Sequence, residues 1–197
     1  MAEPGGGPVQ WFSPDPRAIL PLEPRSEEDG GFHMPRSLAR ILRRGTFTVT
    51  SDQAFERVIA ACAEPRADRD ETWIDARIMH AYTLLHREGH AHSVEAWLAN
   101  EGVPGSRTLV GGVYGVSIGG AFFAESMFCR PELGGTDASK VCLVKLVEHL
   151  RARGYTLLDV QIANPHTARF GVVDIPRVRY LRRLKLAVAM GVSFAAI

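Results

Sequence analysis

Residues 91–162 limit the fold more than any other stretch of this chain. Ala91–Leu98, Thr108–Ser117 and Ala121–Phe128 read as three consecutive strands bounded by turn residues. Ile118-Gly119-Gly120 leaves room only for a tight hairpin turn between the last two. Ala138–Arg153 then places Val141, Val144, Val147 and Leu150 at helical spacing ahead of Gly154, and Thr156–Ile162 reads as a further strand. A helix between two strands of one sheet is a crossover, and crossovers join parallel neighbours. The chain is therefore an α+β or α/β protein with an antiparallel meander and a partly parallel sheet centre. Gly111-Gly112 inside a strand marks a bulge or a close backbone approach.

Shorter elements surround this block. Residues 1–10 form a Gly/Pro-rich leader expected to be disordered, and the four prolines from Pro14 to Pro24 impose extended chain with at most a short edge strand at Ala18–Leu20. Pro35–Arg44 fits a helix with Arg36, Arg40 and Arg43 on one face and Arg44 beside them. Thr46–Thr50 alternates like a strand, and Ser51 or Asp52 is placed to cap a helix over Gln53–Ala63. Glu64–Glu71 is a charged loop, Trp73–Arg87 a helix ended by Gly89, and Pro176 opens a last helix to about Leu186. The apolar tail after it either pairs as a strand or packs on the core. The resulting division is 1–10 leader, 11–50 extended segment with basic helix and strand, and 51–197 main domain.

Composition narrows the class. At 197 residues, 46% hydrophobic and 23% charged, the chain is neither disordered, collagenous nor a coiled coil. No apolar run reaches the roughly 18 residues of a membrane span, and the N-terminus lacks a basic-then-apolar secretory pattern. Cys62, Cys129 and Cys142 are an odd set at wide spacings, which points to free thiols in a reducing cytoplasm. The net charge of +1 conceals an uneven distribution: residues 151–197 hold eight basic and two acidic residues, and 45–150 hold nine and fourteen. This asymmetry suits a polyanionic partner on one face, although solvated arginine-rich surfaces produce it too.

Two polar residues interrupt the apolar strand Leu157-Leu158-Asp159-Val160-Gln161. Being two apart, Asp159 and Gln161 should project together from one face. Either they serve a site, or Asp159 pairs with an arginine and Gln161 bonds backbone. Glu125 likewise breaks Ala121–Phe128, as a salt-bridged residue or a functional one. Trp73 is a base-stacking or a core residue. His86, His90 and His92 are not read as metal ligands, because Gly89 breaks the helix between them. The Arg130–Gly135 loop before a helix offers backbone amides for phosphate, on weak grounds since such turns are common.

Eight short motifs occur in one order: WFSPDPRAIL (11–20), TWI (72–74), GHAHSVEAW (89–97), LVGGVYGV (109–116), ESMF (125–128), ASK (138–140), LLDVQIANPHTARFG (157–171) and IPRVRYL (175–181). Over about Trp11–Leu184 the chain resembles the leucyl/phenylalanyl-tRNA–protein transferase family. The resemblance implies an α+β fold: a GNAT-like mixed β-sheet flanked by helices, with a reduced N-terminal extension. It implies a cytoplasmic, monomeric aminoacyltransferase without metal or other cofactor. Such an enzyme moves Leu or Phe, and Met less well, from aminoacyl-tRNA to the α-amine of proteins beginning with Arg or Lys, marking them for N-degron degradation.

By the same resemblance Gln161 holds the attacking amine, and Asp159 supports it and serves as the better proton sink. Glu125 meets the acceptor, and Val113, Phe123, Met127, Cys129, Leu143 and Leu146 form the donor side-chain pocket. Trp73 packs on the terminal adenosine, a contact to which Trp11 or Phe12 is also available, and Arg36, Arg40, Arg43 and Arg44 hold the acceptor stem. The alternatives are a GNAT-type acetyltransferase using acetyl-CoA, or an inactive paralogue that binds tRNA ends or protein N-termini. For the first, Arg130–Gly135 has one residue too many to form a pyrophosphate loop.

Overall fold

A computed structural model describes residues 8–22, 31–65, 72–195 and 197. Most of the leader and most of the charged loop (66–71) lie outside these residues. In chain order the elements are β1 (Arg17–Ile19), α1 (Arg36–Arg44), β2 (Thr48–Ser51), α2 (Phe55–Ala63), α3 (Ala76–Arg87), β3 (Ala91–Ala99), β4 (Arg107–Ile118) and β5 (Ala121–Cys129). A 3-10 turn at Pro131–Leu133 leads to α4 (Ala138–Ala152), β6 (Leu157–Gln161), the single-turn α5 (Pro165–Ala168), β7 (Val173–Ile175) and α6 (Arg177–Val188). The fold is α+β and GNAT-like, a seven-stranded mixed sheet in the order β2-β3-β4-β5-β6-β1-β7.

Among the described residues only β5 and β6 run parallel, with α4 as their crossover; the other pairs are antiparallel. Helix α4 buries Val141, Val144, Val147 and Leu150 against Val94, Val110, Val113, Phe122 and Leu158, with Leu38 of α1 joining this cluster. On the opposite face α2 and α3 cover Trp97, Leu109, Tyr114 and Phe128, while α6 places Tyr180 and Ala187 beside Ile19, Ala121 and Leu157. Gly111 is a close approach, because a Cβ there would lie 2.5 Å from the Ala138 Cβ at the start of α4.

Several expectations shift. The first strand is not at an edge: β1 lies between β6 and β7, and Pro16 precedes it rather than interrupting its ladder. Neither Ser51 nor Asp52 caps α2, whose first flanking residue is Ala54. Instead the Asp52 carboxylate accepts from the Ser93 N–H at 2.8 Å and contacts His92 Nδ1 at 2.7 Å, tying the loop to β3. Helix α3 starts at Ala76 and not at Trp73, since Asp75 accepts the Ile78 N–H at 3.0 Å. The tail packs rather than pairs, with Phe194 stacked 4.2 Å from the His92 ring. Both strands of segment 11–50 belong to the one sheet.

Replacing Gly111 with alanine forces the β4–α4 contact apart. The expected cost is about 1–3 kcal/mol, a fall of roughly 3–10 °C in Tm by calorimetry; an unchanged Tm would mean that this contact is not tight.

Candidate active site

The parallel pairing of β5 and β6 stops early. It joins Ala121 to Leu157, Phe122 to Leu158 and Phe123 to Asp159, with no further pair. Each strand is irregular where they part. Opposite β4, Tyr114 pairs with Ser126 and Gly115 with Ala124, so Glu125 is an extra, bulged residue. Opposite β1, Ile19 pairs with Asp159 and Ala18 with Gln161, so Val160 is bulged as well. A cleft of about 620 Å³ opens in this split, bordered by Val113, Met127, Cys129 and Leu143 on its apolar side and by Glu125, Gln161 and Trp73 among others.

The bulge at Glu125 decides which residues of β5 border the cleft. Before it, Phe122 and Ala124 face the α4 cluster, and Ala121 and Phe123 face the α6 cluster. After it, Met127 joins the α4 cluster and Phe128 the α2–α3 cluster. Of the six expected donor-pocket residues, Val113, Met127, Cys129 and Leu143 border the cleft. Phe123 packs on the α6 side, because the extra residue reverses the alternation that would have aligned it with Met127. Leu146, on α4, is fully enclosed in the core between that helix and the sheet.

Asp159 and Gln161 part company in a similar way. Gln161 has a φ of 59°, left-handed backbone that ends the strand alternation. The Ile162 N–H donates to the Val160 carbonyl at 2.7 Å, closing a three-residue turn about Gln161. For a residue with a side chain such backbone costs about 1–3 kcal/mol and persists only when its surroundings enforce it. Gln161 borders the cleft, whereas the Asp159 side chain is fully enclosed.

Asp159 is saturated by donors. Oδ1 accepts from Arg17 Nε at 3.0 Å and from the Gln161 N–H at 2.8 Å, and Oδ2 accepts from Arg17 Nη2 at 2.8 Å and Tyr180 Oη at 2.5 Å. The structural alternative raised by the sequence therefore holds at this end: the aspartate is paired with an arginine. Burial opposes the charge on Arg17, but the hydrogen bond and charge of Asp159 prevail and hold its pKa above the ordinary value. Burial, and then the bond to Asp159, raise the Tyr180 phenol, which keeps it protonated and able to donate.

Glu125 is half-buried and titrates unusually high. Burial pushes its carboxyl up to about 7, and the nearby Asp159 charge adds to this; a hydrogen bond from Tyr82 of α3 and the charge of Arg17 act against it. Burial and Glu125 together raise the Tyr82 phenol, so it too remains a donor. Trp73, just before α3, borders the same cleft. Arg36, Arg40, Arg43 and Arg44 are exposed on α1, opposite the buried Leu38. Trp11 and Phe12 are exposed.

In the Arg130–Asp137 loop, Leu133 and Gly135 donate their backbone N–H groups to the Arg130 carbonyl, Gly134 to Pro131, and Ala138 to Gly135. These amides are not available to a phosphate. No cluster of three or more metal-ligating side chains occurs among the described residues, and no helix there is long and apolar enough to cross a membrane.

Arg17, Tyr82 and Tyr180 are the residues that sequence reasoning missed. Arg17 had a signal, being the one cation in an otherwise apolar three-residue strand. Tyr82 and Tyr180 carry no comparable signal, each being a tyrosine within a helical segment.

A mixed sheet whose one parallel pair splays over a cleft lined by apolar side chains, a carboxyl group and an amide is the framework of a GNAT-like acyltransferase. Comparison with known proteins specifies which kind. The sequence profile described as leucyl/phenylalanyl-tRNA protein transferase matches residues 28–185, and the chain belongs to that family of aminoacyltransferases. A leucyl/phenylalanyl-tRNA–protein transferase of Rubrobacter xylanophilus is 50% identical over 195 residues, 99% of this chain and 91% of the relative. One from Gloeobacter violaceus is 47% identical over 194 residues, 98% and 89% of the two chains. A third, from Salinibacter ruber, is 48% identical over 184 residues, 93% of this chain and 72% of its own.

The Glu125 carboxyl, raised from 4.5 to about 7, contributes stability when protonated, and this is lost as pH rises between those values. Glu125→Gln should therefore raise Tm relative to wild type more at about pH 8 than at about pH 5. A gain that does not change with pH would place the titration elsewhere.

Proposed function

We propose that this chain transfers an aminoacyl group from tRNA to the α-amine of a protein, with Leu and Phe as donors and Met less favoured. Acceptors begin with Arg or Lys, and the product enters an N-degron pathway. The single observation that carries the reading is the cleft in the β5–β6 split, where an apolar wall meets Glu125 and Gln161. Family membership supports aminoacyl transfer between tRNA and protein.

In this reading Val113, Met127, Cys129 and Leu143 receive the donor side chain, and the flexible Met127 suits a pocket that takes both a branched aliphatic group and a ring. Leu146 packs in the same core cluster as Val113 and Leu143, and Phe123 lies apart in the α6 cluster. Trp73 stacks on the terminal adenosine, and the four arginines of α1 hold the acceptor stem through phosphate contacts without reading sequence. Because Arg17 of β1 contacts Asp159, the functional unit we propose is 51–197 together with part of the 11–50 segment.

Chemically the donor ester is already activated, so the enzyme's task is alignment. The amine nitrogen attacks the ester carbonyl, the carbon–oxygen bond to the ribose breaks, and an amide forms. Gln161 orients the amine as a neutral acceptor. With both Asp159 oxygens engaged and enclosed, the amine proton goes to the departing 3′ oxygen, directly or through water, rather than to Asp159. Glu125 selects the acceptor: a guanidinium or ammonium group beside it favours the ionised carboxylate, so acceptor capture near neutral pH releases a proton. An acetyl-CoA reading lacks support from the Arg130–Asp137 loop, whose Leu133, Gly134 and Gly135 amides are engaged internally.

Gln161→Ala should reduce transfer of labelled Leu or Phe to an Arg-started peptide by orders of magnitude while tRNA binding is preserved. Full activity in this variant would remove Gln161 from the mechanism. Replacing Arg43 and Arg44 together with alanine should weaken tRNA binding and lower the slope of log affinity against log salt by about one to two. An unaltered slope would move the tRNA to the basic face of α6, around Arg177, Arg179, Arg182 and Arg183.

A further inference from the structure

We propose that Arg17 and Tyr180 are positioning residues for the transfer step, clamping the Asp159 carboxylate from two distant parts of the chain so that it holds the turn at Gln161 and aims that residue at the incoming amine. The inference rests on the role given to Gln161 above and adds the device that orients it.

Three features carry it. First, the oxygen that accepts the Gln161 N–H also accepts Arg17 Nε, so the position of Arg17 sets the position of the atom on which the turn hangs. Second, Tyr180 and Arg17 share the other oxygen, and the Arg17 guanidinium carbon lies 5.3 Å from the Tyr180 ring centre, so each braces the other. The carboxylate has no solvent contact and cannot rotate without breaking a charged hydrogen bond. Third, β1 pairs with β6 at the turn itself, Ala18 opposite Gln161 and Ile19 opposite Asp159. The backbone that carries Arg17 is therefore fixed to the backbone it positions.

A core ion pair would do nothing more than hold the fold. What distinguishes this one is that its third partner is the left-handed residue at the rim of the cleft. Small displacements of an aligning group have large kinetic effects, so the loss should fall on turnover and not on binding.

The test compares Tyr180→Phe, Arg17→Lys and Gln161→Ala in steady-state transfer from leucyl-tRNA to an Arg-started peptide, with Tm measured for each. Tyr180→Phe removes one hydrogen bond and keeps the ring; Arg17→Lys keeps the charge and loses the fork. Each should lower kcat by about tenfold to a hundredfold with KM for both substrates within about twofold and Tm within a few degrees. If Tyr180 acts through Gln161, adding Tyr180→Phe to Gln161→Ala should cause no further loss of the residual rate. Wild-type kcat in both clamp variants would overturn the proposal, as would losses that multiply in the double variant or that appear in KM or Tm alone. Should Tyr180→Phe fail to fold, Arg17→Lys decides by the same criteria and by the same pairing with Gln161→Ala. A dead Gln161→Ala beside fully active clamp variants sinks only this inference, whereas an active Gln161→Ala sinks the reading beneath it.

Discussion

The buried carboxylate of Asp159 is the constraint on which the rest of the arrangement depends. It lies without solvent contact at the end of the parallel β5–β6 pair. An ion in that position requires nearly all its lone pairs to be engaged, and removing one partner of such a pair typically costs about 3–5 kcal/mol. Arg17 must therefore come in on β1, and Tyr180 must face inward from α6. That requirement adds to the burial of Ala18, Ile19 and Leu20 in holding a three-residue strand between β6 and β7.

A second constraint is the parting of β5 from β6. A bulge on each strand, at Glu125 and Val160, turns the local chain away from regular pairing and leaves an opening that neither side chains nor ladder bonds fill. The same irregularity buries Glu125 near Asp159, and burial first and that charge second raise its titration against the opposing effects of Tyr82 and Arg17. Cleft shape and electrostatics thus have one local origin.

Much of this was legible in the residues, for reasons that differ by element. The meander, the crossover helix and the parallel centre follow from Ala91–Ile162, where period and turn residues agree. Glu125 and Gln161 stood out because each interrupts an apolar strand. The faces they occupy were not legible, because a single inserted residue reverses alternation, and nothing in Ala124-Glu125-Ser126 or in Asp159-Val160-Gln161 announces the insertion. Two-residue spacing places Gln161 beside Asp159 for that reason, and Phe123, set with Met127 by the family resemblance, falls on the other face of β5. Tyr180 escaped notice because its partner is 21 residues away, and Arg17 because its partner is 142 residues away. Capping was misread at Asp52 because β3 competes for the same carboxylate.

The place of β1 bears on how the molecule comes into being. A ribosome releases residue 17 long before residue 180, yet β1 has no sheet neighbour until β6 has been made, and its second follows only with β7. Until β6 is in place the arginine has no anion and the aspartate no cation. A chain that stops short of α6 therefore lacks one donor to this carboxylate, and the full set of contacts is complete only when the last helix docks.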